Sequence, residues 1–172
     1  MEKTITIRPV SVGDDTQVKD LIVGIVEKEF PPEERDFLSS DIESVSKNYS
    51  REGESFFVAC QDRKIVGTVG IKREDERNAM LRRIFVRPEF RGQKIGYQLI
   101  QRAIQFCKEK GYEEIIFKTT SRMQNAIALC EANGFAKKAT IRLGDLDLFK
   151  FAICLDKNHG NNHRAAAKKQ SR

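Results

Sequence analysis

The segment Val86-Arg-Pro-Glu-Phe-Arg-Gly-Gln-Lys-Ile-Gly-Tyr97 collects the residue types that hold phosphate. A Val/Ile/Phe-rich stretch precedes it and an apolar stripe of helical period follows, so the pattern predicts a strand-to-helix junction. The first N–H groups of a helix lack intrahelical acceptors, and the helix dipole adds partial positive charge there. Such a junction takes anions readily. No proline removes a donor from Phe90 onward, Gly92 and Gly96 leave the backbone open to close approach, and Arg87, Arg91 and Lys94 add charge. The competing reading is a glycine-containing turn with solvated charges. The spacing G-x-x-x-G matches neither the dinucleotide fingerprint G-x-G-x-x-G nor the nucleotide loop G-x-x-x-x-G-K-S/T, so hydride transfer and nucleotide hydrolysis lose support.

Other chemistries are short of residues. Cys60, Cys107, Cys130 and Cys154 form no C-x-x-C pair, which excludes zinc-ribbon and thioredoxin-like sites. With no secretion signal, reduced thiols in a cytoplasmic protein are expected rather than a disulfide framework. His159 and His163 share a polar stretch with no apolar face to fix them, so no metal is expected, and without another histidine a Ser-His-Asp or Cys-His system has no base. The longest apolar run, Leu21 to Val26, falls far short of the about 20 residues of a membrane span, so neither a membrane helix nor a signal peptide is expected. A length of 172 residues with 40% hydrophobic and 33% charged residues fits one globular domain with a core.

Several elements must position the loop. Ile5, Ile7 and Pro9 predict a short strand; Asp14 or Asp15 then caps a helix with Val18, Leu21, Ile22 and Ile25 on one face, ended by Pro31 and Pro32. A second, more polar helix is expected over Glu33 to Tyr49. Ser55 to Cys60, Lys64 to Lys72 and Ala79 to Val86 read as three successive antiparallel strands, the first two joined at Gln61-Asp62-Arg63. A helix follows from Gly92 to Gly111, then a strand from Glu114 to Thr119. Ser121-x-x-Gln124 matches a capping box opening a helix that stops at Gly134. Lys137 to Leu143 and Leu146 to Leu155 predict a final hairpin turning at Gly144-Asp145. The order is α+β, around a mixed, mostly antiparallel sheet of six to seven strands flanked by about four helices.

Leu81-Arg-Arg-Ile-Phe-Val-Arg-Pro-Glu-Phe-Arg-Gly-Gln-Lys-Ile-Gly96 resembles the acetyl-CoA-binding motif of the GCN5-related N-acetyltransferases (GNAT). Ala126-Ile-Ala-Leu-Cys-Glu-Ala-Asn-Gly-Phe135 resembles their following helix with its terminal Gly-Phe. The resemblance implies acetyl-CoA between splayed strands, its pyrophosphate on the amides of Arg91, Gly92, Gln93, Lys94, Ile95, Gly96 and Tyr97, and its pantetheine along Ile84, Phe85 and Val86. Four positions depart from the family's pattern, one of them Met123, where an asparagine is often found. Its central loop glycine is Lys94, which costs about 1 to 2 kcal/mol if the position needs φ > 0. Its frequent glutamate base falls at Arg82; Glu29, Glu33 and Glu34 are the acids left to substitute through water, and Arg82 is free to hold a substrate carboxylate or to sit solvated. Its frequent tyrosine acid falls at Cys130, read either as proton donor to the CoA thiolate or as a small core filler, with Met123 on the same helical face.

The implied activity is transfer of an acetyl group from acetyl-CoA to a primary amine of a small molecule or peptide, by direct attack in a ternary complex, without metal. A catalytically weak or inactive acyl-CoA sensor of the same fold is the alternative. Amino acids, polyamines, aminoglycosides and protein N-termini all stand open as acceptors; no membrane is expected as a partner, and a homodimer stays open. A net charge of +6 invites nucleic acid as a partner. Lys157, Arg164, Lys168, Lys169 and Arg172, with no acid among residues 157–172, account for five of the six charges. Residues 1–156 are therefore expected to form the domain and residues 157–172 a basic, disordered tail. Within the domain, positive charge gathers at residues 81–94, which favours a polyanionic cofactor over nucleic acid.

Overall fold

Ile5–Pro9 forms β1, followed by α1 (Asp15–Glu29), α2 (Pro32–Arg35), α3 (Val45–Asn48), β2 (Ser55–Gln61), β3 (Lys64–Arg73), β4 (Asn78–Val86), α4 (Ile95–Glu109), β5 (Glu114–Thr120), α5 (Gln124–Ala132), β6 (Ala136–Leu143) and β7 (Leu146–Cys154). The computed structural model describes residues 3–35 and 41–155. Its strands make one mixed sheet in the order β1-β2-β3-β4-β5-β7-β6, antiparallel at every pairing except β4 with β5. The expected α+β architecture is present, as are the hairpin at Asp62 and the turn at Gly144. The expectation for residues 157–172 lies outside the described residues.

Strand alternation divides the core in two. On one face Phe56, Val58, Cys60, Ile65 and Phe85 meet Val18, Leu21, Ile22 and Ile25 of α1. On the other, Phe57, Ala59, Val66, Val69 and Ile71 meet Ile95, Leu99, Ile100, Ala103 and Cys107 of α4. Each fully buried aliphatic side chain contributes about 1.5 to 3 kcal/mol. Gly67 lets α4 sit close to the sheet, because a Cβ there would lie 2.9 Å from Leu99 Cδ1 and 3.1 Å from the Phe85 carbonyl oxygen.

Two expectations about helices need correction. No single helix runs from Glu33 to Tyr49: Pro32–Arg35 and Val45–Asn48 are one turn each, and residues 36–40 lie outside the described residues. The polar side chains of this stretch bond across the fold instead of lining a helix. Asp15 Oδ1 accepts from the Ser46 amide at 2.9 Å and Asp15 Oδ2 from the Ser44 hydroxyl at 3.1 Å. Buried Asp41 accepts a bidentate contact from Arg83 and a hydrogen bond from the Tyr49 hydroxyl. The capping box at Ser121 is also absent. α5 begins at Gln124 with Met123 as its N-cap, and Ser121 Oγ accepts from the Asp147 amide at 3.4 Å.

The join of β4 to β5 positions the site. It spans only Asn78↔Glu114, Ala79↔Ile115 and Met80↔Ile116. Beyond it β4 stays with β3 as far as Val86 and β5 stays with β7 as far as Thr120, so the sheet forks. Thr68 pairs with Phe85 and Gly70 with Arg82, which places one extra residue in β4. That bulge centres on Arg83, held at φ +55° with its carbonyl accepting from Thr68 Oγ1 at 2.8 Å. A bulge bends its strand and increases local twist, which turns β4 out of the ladder with β5.

Candidate functional site

A cleft of about 820 Å³ opens at the end of β4, between the N-terminal ends of α4 and α5 and the last turn of α1. Ile84, Phe85 and Val86 form its floor; Met123, with Ala126 and Leu129 of α5, forms one wall, and Glu29 and Phe30 the other. Arg91, Gly92, Lys94, Ile95, Gly96 and Tyr97 form its rim.

A turn of 3-10 helix over Pro88–Phe90 leads into this rim. The Arg91 amide donates to the Pro88 carbonyl at 3.2 Å, and the first bond into α4 runs from the Gln98 amide to the Lys94 carbonyl at 3.0 Å. The amides of residues 92–97 therefore have no backbone acceptor among the described residues. Arg91 contributes its side chain instead. Its Nη1 and Nη2 donate to the two Glu29 carboxylate oxygens at 2.6 and 3.0 Å, and its Nε donates to the Val86 carbonyl at 3.1 Å. The Glu29 hydrogen bonds raise the Arg91 pKa further, so it is a fixed cation.

The loop's special positions divide the work unequally. Gly92 sits at φ +81° with open space where a Cβ would be, so its requirement is conformational. A Cβ on Gly96 would lie 2.7 Å from Leu129 Cδ1, so this glycine serves the contact of α4 with α5 at the cleft wall. Lys94 caps α4 in the left-handed region, at φ 64° and ψ 16°, where a lysine carries strain that a glycine would not.

The residues weighed for proton transfer are scattered. Cys130 is fully buried in the α4 core and does not line the cleft, and burial pushes its thiol up to about 12. Met123 does line it. The two do not share a helical face because Met123, at φ −92° and ψ 58°, precedes the first helical turn. Arg82 lies 4.0 Å from Asp41, Glu29 is tied to Arg91, Glu33 is exposed, and the Glu34 side chain lies outside the described residues. Burial works to raise the Asp41 pKa, yet hydrogen bonds from Arg83 and Tyr49 and the charges of Arg83 and Arg82 hold it below its ordinary value. Two groups escaped the sequence reading. The hydroxyls of Thr119 and Thr120, on the forked part of β5, are buried without a hydrogen-bond partner among the described residues. A Thr-Thr pair at a strand end carries no signal that would single it out.

A family model for the acetyltransferase (GNAT) family matches residues 21–135, which span α1 to the Gly-Phe after α5. The chain belongs to this family. Human N-acetyltransferase 8 is 35% identical over 106 residues, covering 58% of this chain and 47% of the relative. Rat N-acetyltransferase family 8 member 2 is 29% identical over 129 residues, covering 69% of this chain and 57% of the relative. The chain thus spans about half the length of the curated relatives it matches. Among solved structures, an acetyltransferase of the GNAT family from Staphylococcus aureus Mu50 superposes with a TM-score of 0.77 at 27% identity, covering 89% of this chain and all of that one. YncA from Salmonella typhimurium, solved with its cofactor acetyl-CoA, superposes at 0.75 with 17% identity over 90% of this chain and 96% of its own. The seven-stranded mixed sheet thus has the overall fold of these two structures. Among the described residues no helix is long and apolar enough to cross a membrane, and no three His, Cys, Asp or Glu residues cluster to hold a metal ion.

Proposed function

We propose that the protein is an acetyl-CoA-dependent N-acetyltransferase that acts on a primary amine by direct attack in a ternary complex. The observation that carries this reading is the row of unpartnered amides over residues 92–97, set at the mouth of a sheet fork. A diphosphate would accept from those amides, with Lys94 beside it and Arg91 within reach once released from Glu29. The pantetheine arm, a linear chain with amides, suits the unpaired edge of β4 at Ile84, Phe85 and Val86, as a guest strand does. Acetyl-CoA brings the thioester, and the chain's contribution is to hold two reactants in line, a large share of the acceleration in such reactions. A β4 amide near Val86 stabilises the thioester oxygen as it gains charge. Cys130 is buried away from the cleft and Glu29, the one carboxylate among its described lining residues, is paired with Arg91, so the amine reacts from its unprotonated fraction. The free thiols fit a cytoplasmic setting, with the acetyltransferase domain assigned to residues 1–156.

Calorimetric titration with acetyl-CoA, followed by CoA release over a broad amine panel, tests the reading. Saturable binding that weakens with salt, and turnover with at least one amine, are expected. A second reading, an acyl-CoA sensor, is favoured by Arg82 standing at the usual base and by the burial of Cys130. Binding without acetylation of any amine would select it.

A further inference from the structure

Beyond Met80 and Ile116 the fork opens, and the next side chains on the α1 face of the sheet are Arg82 on β4 and Lys118 on β5. Leu81, Ile115 and Phe117 belong to the α4 core, so alternation turns Arg82, Lys118 and Thr120 to the other face. Lys150 of β7 stands directly opposite Lys118 in the antiparallel ladder. Like charges so placed repel, and neither lysine has an acidic partner among the described residues. Asp41 offsets the cluster only in part. Its oxygens accept from Arg83 and Tyr49 and form a long ion pair of 4.0 Å with Arg82, so one carboxylate stands against Arg82, Arg83 and the two lysines. Three cations therefore stand by the fork on the α1 face of the sheet, outside the lining of the cleft, with a Thr120 hydroxyl that has no partner among the described residues.

We propose that this cluster anchors a carboxylate, so that the acceptor is a primary amine that also carries a carboxylate, as in an amino acid or short peptide. The inference rests on the acetyltransferase reading for its amine and on the strand register for its anchor. Arg82 offers the planar donor fork that matches a carboxylate, and the two lysines add charge without geometric demand. The same cations disfavour a protonated amine beside them, which raises the reactive fraction where the usual carboxylate base is missing. Polyamines and aminoglycosides, as polycations, are repelled.

The test is calorimetric titration of the full chain, with and without saturating CoA, using L-amino acids, dipeptides and their matched C-terminal amides, plus spermine and phosphoethanolamine. Carboxylate forms are expected to bind about tenfold or more tightly than their amides, as for a charged hydrogen-bonded contact. Arg82→Gln and Lys118→Gln should abolish that preference, while Arg82→Lys restores part of it. Lys118 is exposed, so Lys118→Gln keeps the wild-type Tm, and Lys118→Glu turns the preference toward amides. Equal affinity for acids and amides, tighter binding of spermine, or variants that keep the preference would each overturn the anchor. Preference for phosphoethanolamine over every carboxylate would overturn its assignment to carboxylates. CoA release is read in parallel: carboxylate-selective binding without any turnover refutes the acetyltransferase reading and leaves the anchor standing.

Discussion

Lys94 joins two effects that substitution can separate. In its left-handed conformation an L-residue costs about 1 to 2 kcal/mol, and replacement by glycine recovers this less about 0.4 to 1 kcal/mol for the freer unfolded chain. Lys94→Gly should therefore gain about 0.5 to 1 kcal/mol over Lys94→Ala. For a domain of this size that is a Tm difference of about 1 to 4 °C. Both variants lose the cation, so both should bind acetyl-CoA about tenfold more weakly than wild type, the scale of one charged hydrogen bond. Paired scanning calorimetry and acetyl-CoA titrations read the two effects independently. If Lys94→Ala melts at or above Lys94→Gly, the strain argument is wrong. If both variants bind acetyl-CoA as tightly as wild type, the amides alone hold the anion and lysine stands there for some other reason.

Glu29→Gln removes an acceptor that competes with phosphate for Arg91 at the cleft wall, so acetyl-CoA affinity should rise several-fold; a weaker complex by calorimetry would contradict this. Cys130→Ala should leave kcat unchanged across pH 6 to 10, consistent with a thiol raised to about 12 by burial, and should lower stability by about 1 kcal/mol in urea melts. Asp14 gives a pH signature: hydrogen bonds from Arg8 first, and from Ser11, outweigh burial and lower its pKa from 3.8 to about 2. A depressed folded-state pKa stabilises above the unfolded value and is lost as pH falls through the folded one. Asp14→Asn should thus cost about 1 to 2 kcal/mol at pH 7, allowing for screening of the half-exposed Arg8, with the gap to wild type closing between pH 4 and pH 2.

Where a local pattern decided the structure, the sequence was sufficient. The Phe-, Val- and Ile-rich runs of Ser55–Gln61 and Lys64–Arg73, buried on both faces, and the stripe of Val18, Leu21, Ile22 and Ile25 are each patterns read within a few residues. Proline at 31 fixes the end of α1, since Phe30 before it is extended at φ −112° and ψ 140°. The anion loop was legible for the same reason. Long-range pairings were not. Asp41 with Arg83 and Asp15 with Ser44 and Ser46 break the helical stripe imagined over Glu33 to Tyr49, and no local signal announces partners tens of residues away. The S-x-x-Q motif failed because its serine is engaged by Asp147 of β7. The fork and the Arg83 bulge likewise depend on how strands meet, as does the placing of Arg82, Lys118 and Lys150 on one face of the sheet.

The three-residue seam between β4 and β5 also bears on solubility. An open sheet ordinarily exposes two edges, here β1 and β6, but the fork adds two internal ones, along β4 beyond Met80 and along β5 beyond Ile116. Unpaired edges recruit strands from other chains, and proteins commonly blunt them with charge. The cleft lies along the first of these, with α5 and the rim of α4 nearby and Arg91 and Lys94 at that rim. The sticky edges that make the cleft useful are thereby shielded from neighbouring copies of the chain.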